Sequence, residues 1–292
     1  MDKNKIILVA GGDLRQVYLA RILAETNKVY IIGFDRNVIP EGNLIFLDSL
    51  LSISERVDYI ILPLPASNDG VLVNTPFFNH SLALENLNSV INENGIVFGG
   101  KFSEMVKRIF EKHKITTIDY LDREEMAVMN AVPTAEGAVQ IAMEEIPTTI
   151  FGQKILITGF GRISKVLAKI LNGLGADISI AVRKYSDREW AKIYGCKGIL
   201  FTQLDESLKQ YDIIFNTVPA IIFDKERLRM LKKGSLLIDL ASKPGGVDIE
   251  EAGNAGVKTI WALSLPGKVA PISSGEIIAR TILNILEERG EE

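Results

Sequence analysis

Apolar residues in this chain gather in short runs separated by amphipathic stretches. Runs at 6–10, 29–33, 59–62, 96–99 and 115–119, and again at 155–158, 178–182, 213–216, 236–239 and 259–262, each have the length of one buried strand. Between them the spacing turns helical, notably over 81–91 and 103–112. Strands alternating with helices predict parallel sheets built of βαβ units, an α/β class. Residues 122–147 break the alternation. Ala135, Ala138, Val139, Ala142, Met143 and Ile146 form one apolar helical face there, and Pro133 predicts two helices or one sharply kinked one. A last helix is expected over 276–288, opened by Ser273-Ser-Gly-Glu276 in the form of a capping box.

The two halves begin alike. Gly11 and the Ala20-Arg-Ile-Leu23 segment stand where Gly159 and Ala168-Lys-Ile-Leu171 stand in the second half. The 292 residues therefore divide into 1–121, an N-terminal Rossmann/flavodoxin-like domain; 122–147, a helical connector; 148–272, an NAD(P)-binding Rossmann domain; and 273–292, a C-terminal helix able to return onto the first domain. The expected fold is two Rossmann-like open parallel-sheet domains joined by a kinked helical connector, in a 2-hydroxyacid-dehydrogenase-like arrangement.

Only the second half carries a dinucleotide fingerprint. The strand from Lys154 enters Gly159-Phe160-Gly161-Arg162-Ile163 and then a helix. The first glycine permits the tight turn, the second lets backbone N–H groups approach a pyrophosphate, and the helix N-terminus supplies unpaired donors. Ser164 holds the third position and is small enough for close helix–strand packing. In the first half Asp13 replaces the second glycine, and a carboxylate there repels a pyrophosphate. An NAD enzyme carries Asp or Glu about 20 residues after the glycines to hold the ribose hydroxyls. This chain carries Arg183 and Lys184, which suit a 2′-phosphate, so the expected cofactor is NADP, with NAD the alternative. Thr217, Val218 and Pro219, after the strand at 213–216, are expected to line the nicotinamide side.

Composition narrows the classes. The net charge of −4 gives no reason to expect nucleic acid, and no apolar run approaches the roughly 20 residues of a membrane span. The start Met-Asp-Lys-Asn-Lys shows no signal-peptide pattern, so a cytoplasmic location is expected. Cys196 is read as a packing residue, and no metal site is expected. Of two histidines, His80 precedes a helical stretch and His113 sits in a charged run, so neither serves acid–base chemistry. That weakens an ordinary 2-hydroxyacid dehydrogenase reading, whose alcohol oxidation needs a base. Lys243 and Glu136 are the titratable alternatives.

Loops rich in Pro, Gly and small polar residues follow the strand ends: 62–68, 216–219, 239–246 and 265–271, with 130–137 in the connector. Several carry a family pattern. With Gly11-Gly-Asp-Leu-Arg-Gln16, Ile61-Leu-Pro63, Asn130-x-x-Pro-Thr-x-Glu-Gly137, Gly159-x-Gly-Arg162, Asp239-Leu-Ala-Ser-x-Pro-Gly-Gly246 and Leu265-Pro-Gly-x-Val-Ala-Pro271, the chain resembles the A subunits of dipicolinate synthase from spore-forming bacteria, across nearly its full length. The resemblance implies oxidation of dihydrodipicolinate to pyridine-2,6-dicarboxylate with hydride transfer to NAD(P), action in the mother cell during sporulation, and partnership with a flavoprotein-like B subunit. A homo-oligomer, a dimer, is the family-level expectation. Forming an aromatic ring is strongly downhill, so the missing His ceases to be an objection. Thr134, Ser242 and Lys243 are the expected carboxylate donors, with Lys268 ranked lower. Asn130 is expected to orient the ring or the nicotinamide amide, and Glu136 to fix a loop or Lys243. Two other readings stay open: a general NAD(P)-dependent 2-hydroxyacid or alanine dehydrogenase, and a non-catalytic NADP-binding subunit.

Overall fold

Twelve strands and ten helices form among the described residues of the computed structural model, which describes residues 5–38 and 42–290. The extreme ends of the first and last segments drawn above, 1–4 and 291–292, lie outside the described residues. Contacts divide the chain into two units: residues 1–129 with 270–292, and residues 130–269.

In the first unit six parallel strands take the order β3-β2-β1-β4-β5-β6, from β1 (Ile6–Ala10), β2 (Lys28–Ile32), β3 (Leu44–Phe46), β4 (Val57–Ile61), β5 (Ile91–Gly99) and β6 (Thr116–Asp119). This is the doubly wound order of a dinucleotide fold, with its switch point between β1 and β4. Strands buried on both faces need apolar residues at every position, hence the continuous runs. Ile7, Val9, Ile31 and Ile61 face α1 (Leu14–Leu23) and α10 (Pro271–Glu288), while Leu8, Ala10, Ile60 and Val97 face α2 (Glu104–Glu111) and the 84–89 turn.

Helix α10 lies directly on α1. A Cβ on Gly275 would stand 2.6 Å from the Arg15 carbonyl oxygen and 3.0 Å from the Leu19 amide nitrogen. Gly275→Ala therefore forces the helices apart and should destabilise by about 1–3 kcal/mol, as overpacking does, read as a thermal midpoint several degrees lower. An unchanged midpoint would mean the helix shifts freely.

In the second unit the order is β12-β11-β10-β7-β8-β9, again all parallel, from β7 (Lys154–Thr158), β8 (Asp177–Val182), β9 (Lys197–Leu200), β10 (Ile213–Asn216), β11 (Leu236–Asp239) and β12 (Lys258–Trp261). Its core joins Ile155, Ile157, Ile180, Phe215 and Ile238 to α4 (Arg162–Gly173) through Leu167, Ala168 and Leu171, and to α3 (Glu124–Glu145) through Ala135, Ala138 and Ala142. The remaining helices are α5 (Tyr185–Ile193), α6 (Leu204–Ser207), α7 (Lys225–Met230), α8 (Ile249–Asn254) and α9 (Leu265–Val269).

Several elements differ from the sequence pattern. Pro133 sits inside one uninterrupted helix, α3, so the two-helix alternative falls. Residues 84–89 form a 3₁₀ segment where 81–91 reads as a helix. Helix α10 starts at Pro271, five residues before Glu276; proline at its first position has the dihedral a helix needs and no N–H to leave unpaired, and no side chain caps it. Residues 265–269 of the expected last loop are the short helix α9.

Candidate functional site

Every site residue named from the sequence lies in the second unit. The turn after β7 is built as the fingerprint requires. Gly159 adopts φ +89°, where a side chain is strained, and a Cβ there would meet the Thr217 Oγ1 at 2.8 Å. Gly161 is different. It caps α4 at an ordinary φ of −85°, and a Cβ on it would find nothing within 4 Å. No neighbour in the chain demands a glycine there. The open space over the first N–H groups of α4 suits a phosphate, so these residues fit a dinucleotide. Gly161→Val should keep the thermal midpoint near wild type and remove nucleotide binding, read by calorimetric titration; retained affinity would mean that this space is not used.

Around the turn, the Phe160 ring meets Tyr194 edge-on at 5.5 Å, and the Lys165 ammonium lies 5.3 Å from its centroid. Arg162 is exposed and Ile163 half-buried at the start of α4. Ser164 does more than fill the small third position. It is fully buried, and its hydroxyl is 2.9 Å from the Thr217 Oγ1, which itself donates to the Thr158 carbonyl at 2.8 Å. The single Thr217 proton is thus committed, so Ser164 donates, tying α4 to the end of β10. Arg183 and Lys184 are exposed where β8 ends, and the Lys184 carbonyl accepts the Arg188 amide at the start of α5. The Arg188 guanidinium lies over Tyr185 at 5.0 Å, leaving the two cations ahead of it in solvent.

A buried polar group missed by sequence reading joins three strand ends. Asn216 is wholly buried, and its Nδ2 donates to the Val218 carbonyl at 3.0 Å and to Asp239 at 2.7 Å. Its Oδ1 accepts from the Thr158 hydroxyl at 2.5 Å and from the Val218 amide at 3.2 Å. Both backbone polar groups of Val218 are therefore held by one side chain. Asp239 then accepts the Ala241 and Gly246 amides at 3.0 and 2.8 Å, shaping the loop that carries Ser242 and Lys243. The Trp261 indole donates to the Ala241 carbonyl at 2.9 Å and props the same loop. The signal available beforehand was that β10 and β11 both end on a polar residue inside an apolar run.

Ser242 and Lys243 are exposed on that loop. The buried Thr134 hydroxyl donates to the Asn130 carbonyl at 2.7 Å, one turn back beside Pro133, so its proton is not available to a ligand as the structure stands. Glu136 is exposed and, among the described residues, forms no ion pair with Lys243. Asn130 is half-buried on α3.

The first unit's matching turn is closed by its own chain. Gly12 N–H donates to the Asn74 carbonyl at 2.8 Å, and a Cβ on Gly11 would strike Val73, Asn74 and Thr75. Asp13 caps α1 and forks onto Arg15 at 2.8–3.1 Å. The donors that face phosphate in a dinucleotide fold thus bond protein atoms here. His80 and His113 are exposed in this unit. In the second unit Cys196 is buried, and that burial pushes its thiol above the ordinary value, which fits packing rather than nucleophilic chemistry.

Residues 6–121 match the family model of the N-terminal domain of the dipicolinate synthase A subunit. Over 290 residues the chain is 30% identical to the A subunit of dipicolinate synthase of Bacillus subtilis, covering 97% of this chain and 96% of that one. It belongs to the family of dipicolinate synthase A subunits. The crystal structure of the Bacillus halodurans A subunit superposes with a TM-score of 0.89 at 28% identity, covering 97% of each chain. The Bacillus subtilis A chain superposes at 0.87 and 29% identity, covering 99% and 98%. Residues 127–248 match the NAD-binding domain of D-isomer specific 2-hydroxyacid dehydrogenases. The chain is therefore an NAD(P)-dependent oxidoreductase of the two-domain Rossmann type, and its second unit carries the nucleotide-binding domain. No helix among the described residues is long and apolar enough to cross a membrane.

Proposed function

We propose that this chain oxidises dihydrodipicolinate to dipicolinate, with NADP as hydride acceptor, in sporulating cells and together with a B subunit. The observation that carries the reading is the near-full-length relationship to the dipicolinate synthase A subunit, joined to an open phosphate cradle at Gly161. Gly159, Phe160, Gly161, Arg162 and Ile163 hold the pyrophosphate, and Arg183 and Lys184 hold the 2′-phosphate. Thr217, Val218 and Pro219 form the nicotinamide wall.

Bound NADP supplies a hydride acceptor, and the ring loses one hydride and one proton as it becomes aromatic. Lys243 and Ser242 bind substrate carboxylates from the 239–246 loop. Asn130 orients the ring or the nicotinamide amide from α3, and the Thr134 hydroxyl, donating to the Asn130 carbonyl, fixes that turn of the helix. Positioning the ring against the nicotinamide supplies much of the rate. No strong base is needed, which suits a chain whose two histidines are remote in sequence from these residues.

That same lack of a catalytic acid or base favours one second reading, a nucleotide-binding subunit whose partner completes the site. Mixing freshly generated dihydrodipicolinate with NADP, with and without the B subunit, separates the two. Equal amounts of dipicolinate and NADPH from the chain alone support the first. Turnover only with the partner supports the second, and no turnover in either mixture contradicts both.

A further inference from the structure

Asp239 is a buried carboxylate without a cation. It is 1% exposed at the end of β11, and its partners are Asn216 Nδ2 and the Ala241 and Gly246 amides, all donors. Each of these hydrogen bonds is one that a carboxylate oxygen accepts. Among the described residues no Lys, Arg or His pairs with it. Buried charges are ordinarily paired, because neutral dipoles compensate only part of the lost hydration. The negative field of Asp239 is thus incompletely cancelled by the protein, in surroundings that screen it weakly.

The field has a direction set by the chain. Asp239 bonds Asn216, and Asn216 clamps both backbone polar groups of Val218. Behind Asn216 the fit is tight: a Cβ on Gly246 would stand 2.0 Å from its Nδ2. The Asp239 carboxylate is therefore linked to Val218 through one side chain, that of Asn216.

We infer that Asp239 is a specificity-determining residue that selects the oxidation state of the nucleotide. The inference rests on the reading that Thr217–Pro219 flank the nicotinamide. An oxidised nicotinamide ring carries a positive charge and a reduced one carries none. The buried anion stabilises the first and leaves the second almost unaffected. It favours capture of NADP in the oxidised form and release of the reduced form, the order that an oxidation needs.

The test is equilibrium binding of NADP⁺ and NADPH to the full-length chain, by calorimetry and by nucleotide fluorescence, without substrate. Asp239→Asn should raise the Kd for NADP⁺ relative to that for NADPH by on the order of tenfold. Gly246→Ala displaces the Asn216 amide but keeps the charge, so it should weaken both forms alike and leave their ratio unchanged. A purely structural role for Asp239 would make the two variants behave the same way, and that result overturns the inference. If Asp239→Asn does not fold, the wild-type ratio decides: NADP⁺ bound at least as tightly as NADPH supports the inference, and NADPH bound tenfold tighter overturns it. Failure of wild type to bind either form overturns the nucleotide assignment itself, which differs from binding with an unaltered ratio.

Discussion

Arg183→Asp should lower NADP affinity by about 100-fold while leaving NAD affinity intact or improved. A guanidinium pairing with a phosphate through two charge-assisted hydrogen bonds contributes about 1.5–3 kcal/mol, and each 1.4 kcal/mol is tenfold in Kd. Asp at the same place adds repulsion toward the 2′-phosphate and offers acceptors to ribose hydroxyls. The geometry isolates the effect. Arg183 is exposed at the end of β8, and Arg188, the nearby guanidinium, is already turned over the Tyr185 ring. Lys184 remains to provide a point charge, so Lys184→Ala on the Arg183→Asp background should reduce NADP binding further. Titration of both nucleotides into each variant checks this, and a constant NADP-to-NAD ratio would remove Arg183 from the site.

Lys243→Met should cut kcat/KM for dihydrodipicolinate by about 30- to 100-fold, expressed mainly in KM, with NADP affinity unchanged. A hydrogen bond to a charged group contributes about 1.5–3 kcal/mol, and removing it leaves a substrate carboxylate without its cation. Stability should not fall, because Lys243 is exposed and its loop is held by Asp239 and Trp261 through backbone atoms. Steady-state kinetics with the variant decide the matter, and wild-type kinetics would take Lys243 out of the mechanism.

The sheet pattern was legible because a strand covered on both faces is apolar at consecutive positions, as at Ile7–Ala10 and Ile155–Ile157. Two of the four edge strands, β3 and β9, escaped that signal. β3 is three residues long and β9 four, and both are only partly buried, so neither forms a long apolar run. The 84–89 segment reads as a helix from its leucines, yet Asn88 and Ser89 return their side chains to the Glu85 and Asn86 carbonyls and tighten the turn. The dinucleotide turn was legible from two glycines and their spacing. The Thr158–Asn216–Asp239 group was not, since three polar residues separated by more than 20 positions carry no local pattern and meet only when β7, β10 and β11 pair. Likewise Ser164 was readable as small, but its bond to Thr217 depends on the close approach of α4 to β10.

The measurement that tests the proposed function most directly follows the hydrogen itself. Dihydrodipicolinate deuterated at its saturated ring carbons would be turned over with NADP and this chain, with the B subunit present, and the nucleotide examined by mass spectrometry. Direct transfer predicts one deuterium at the nicotinamide C4 of each NADPH, formed in equal amount with dipicolinate. Dipicolinate appearing with unlabelled NADPH, or with none, would contradict hydride transfer to a nucleotide bound by this chain.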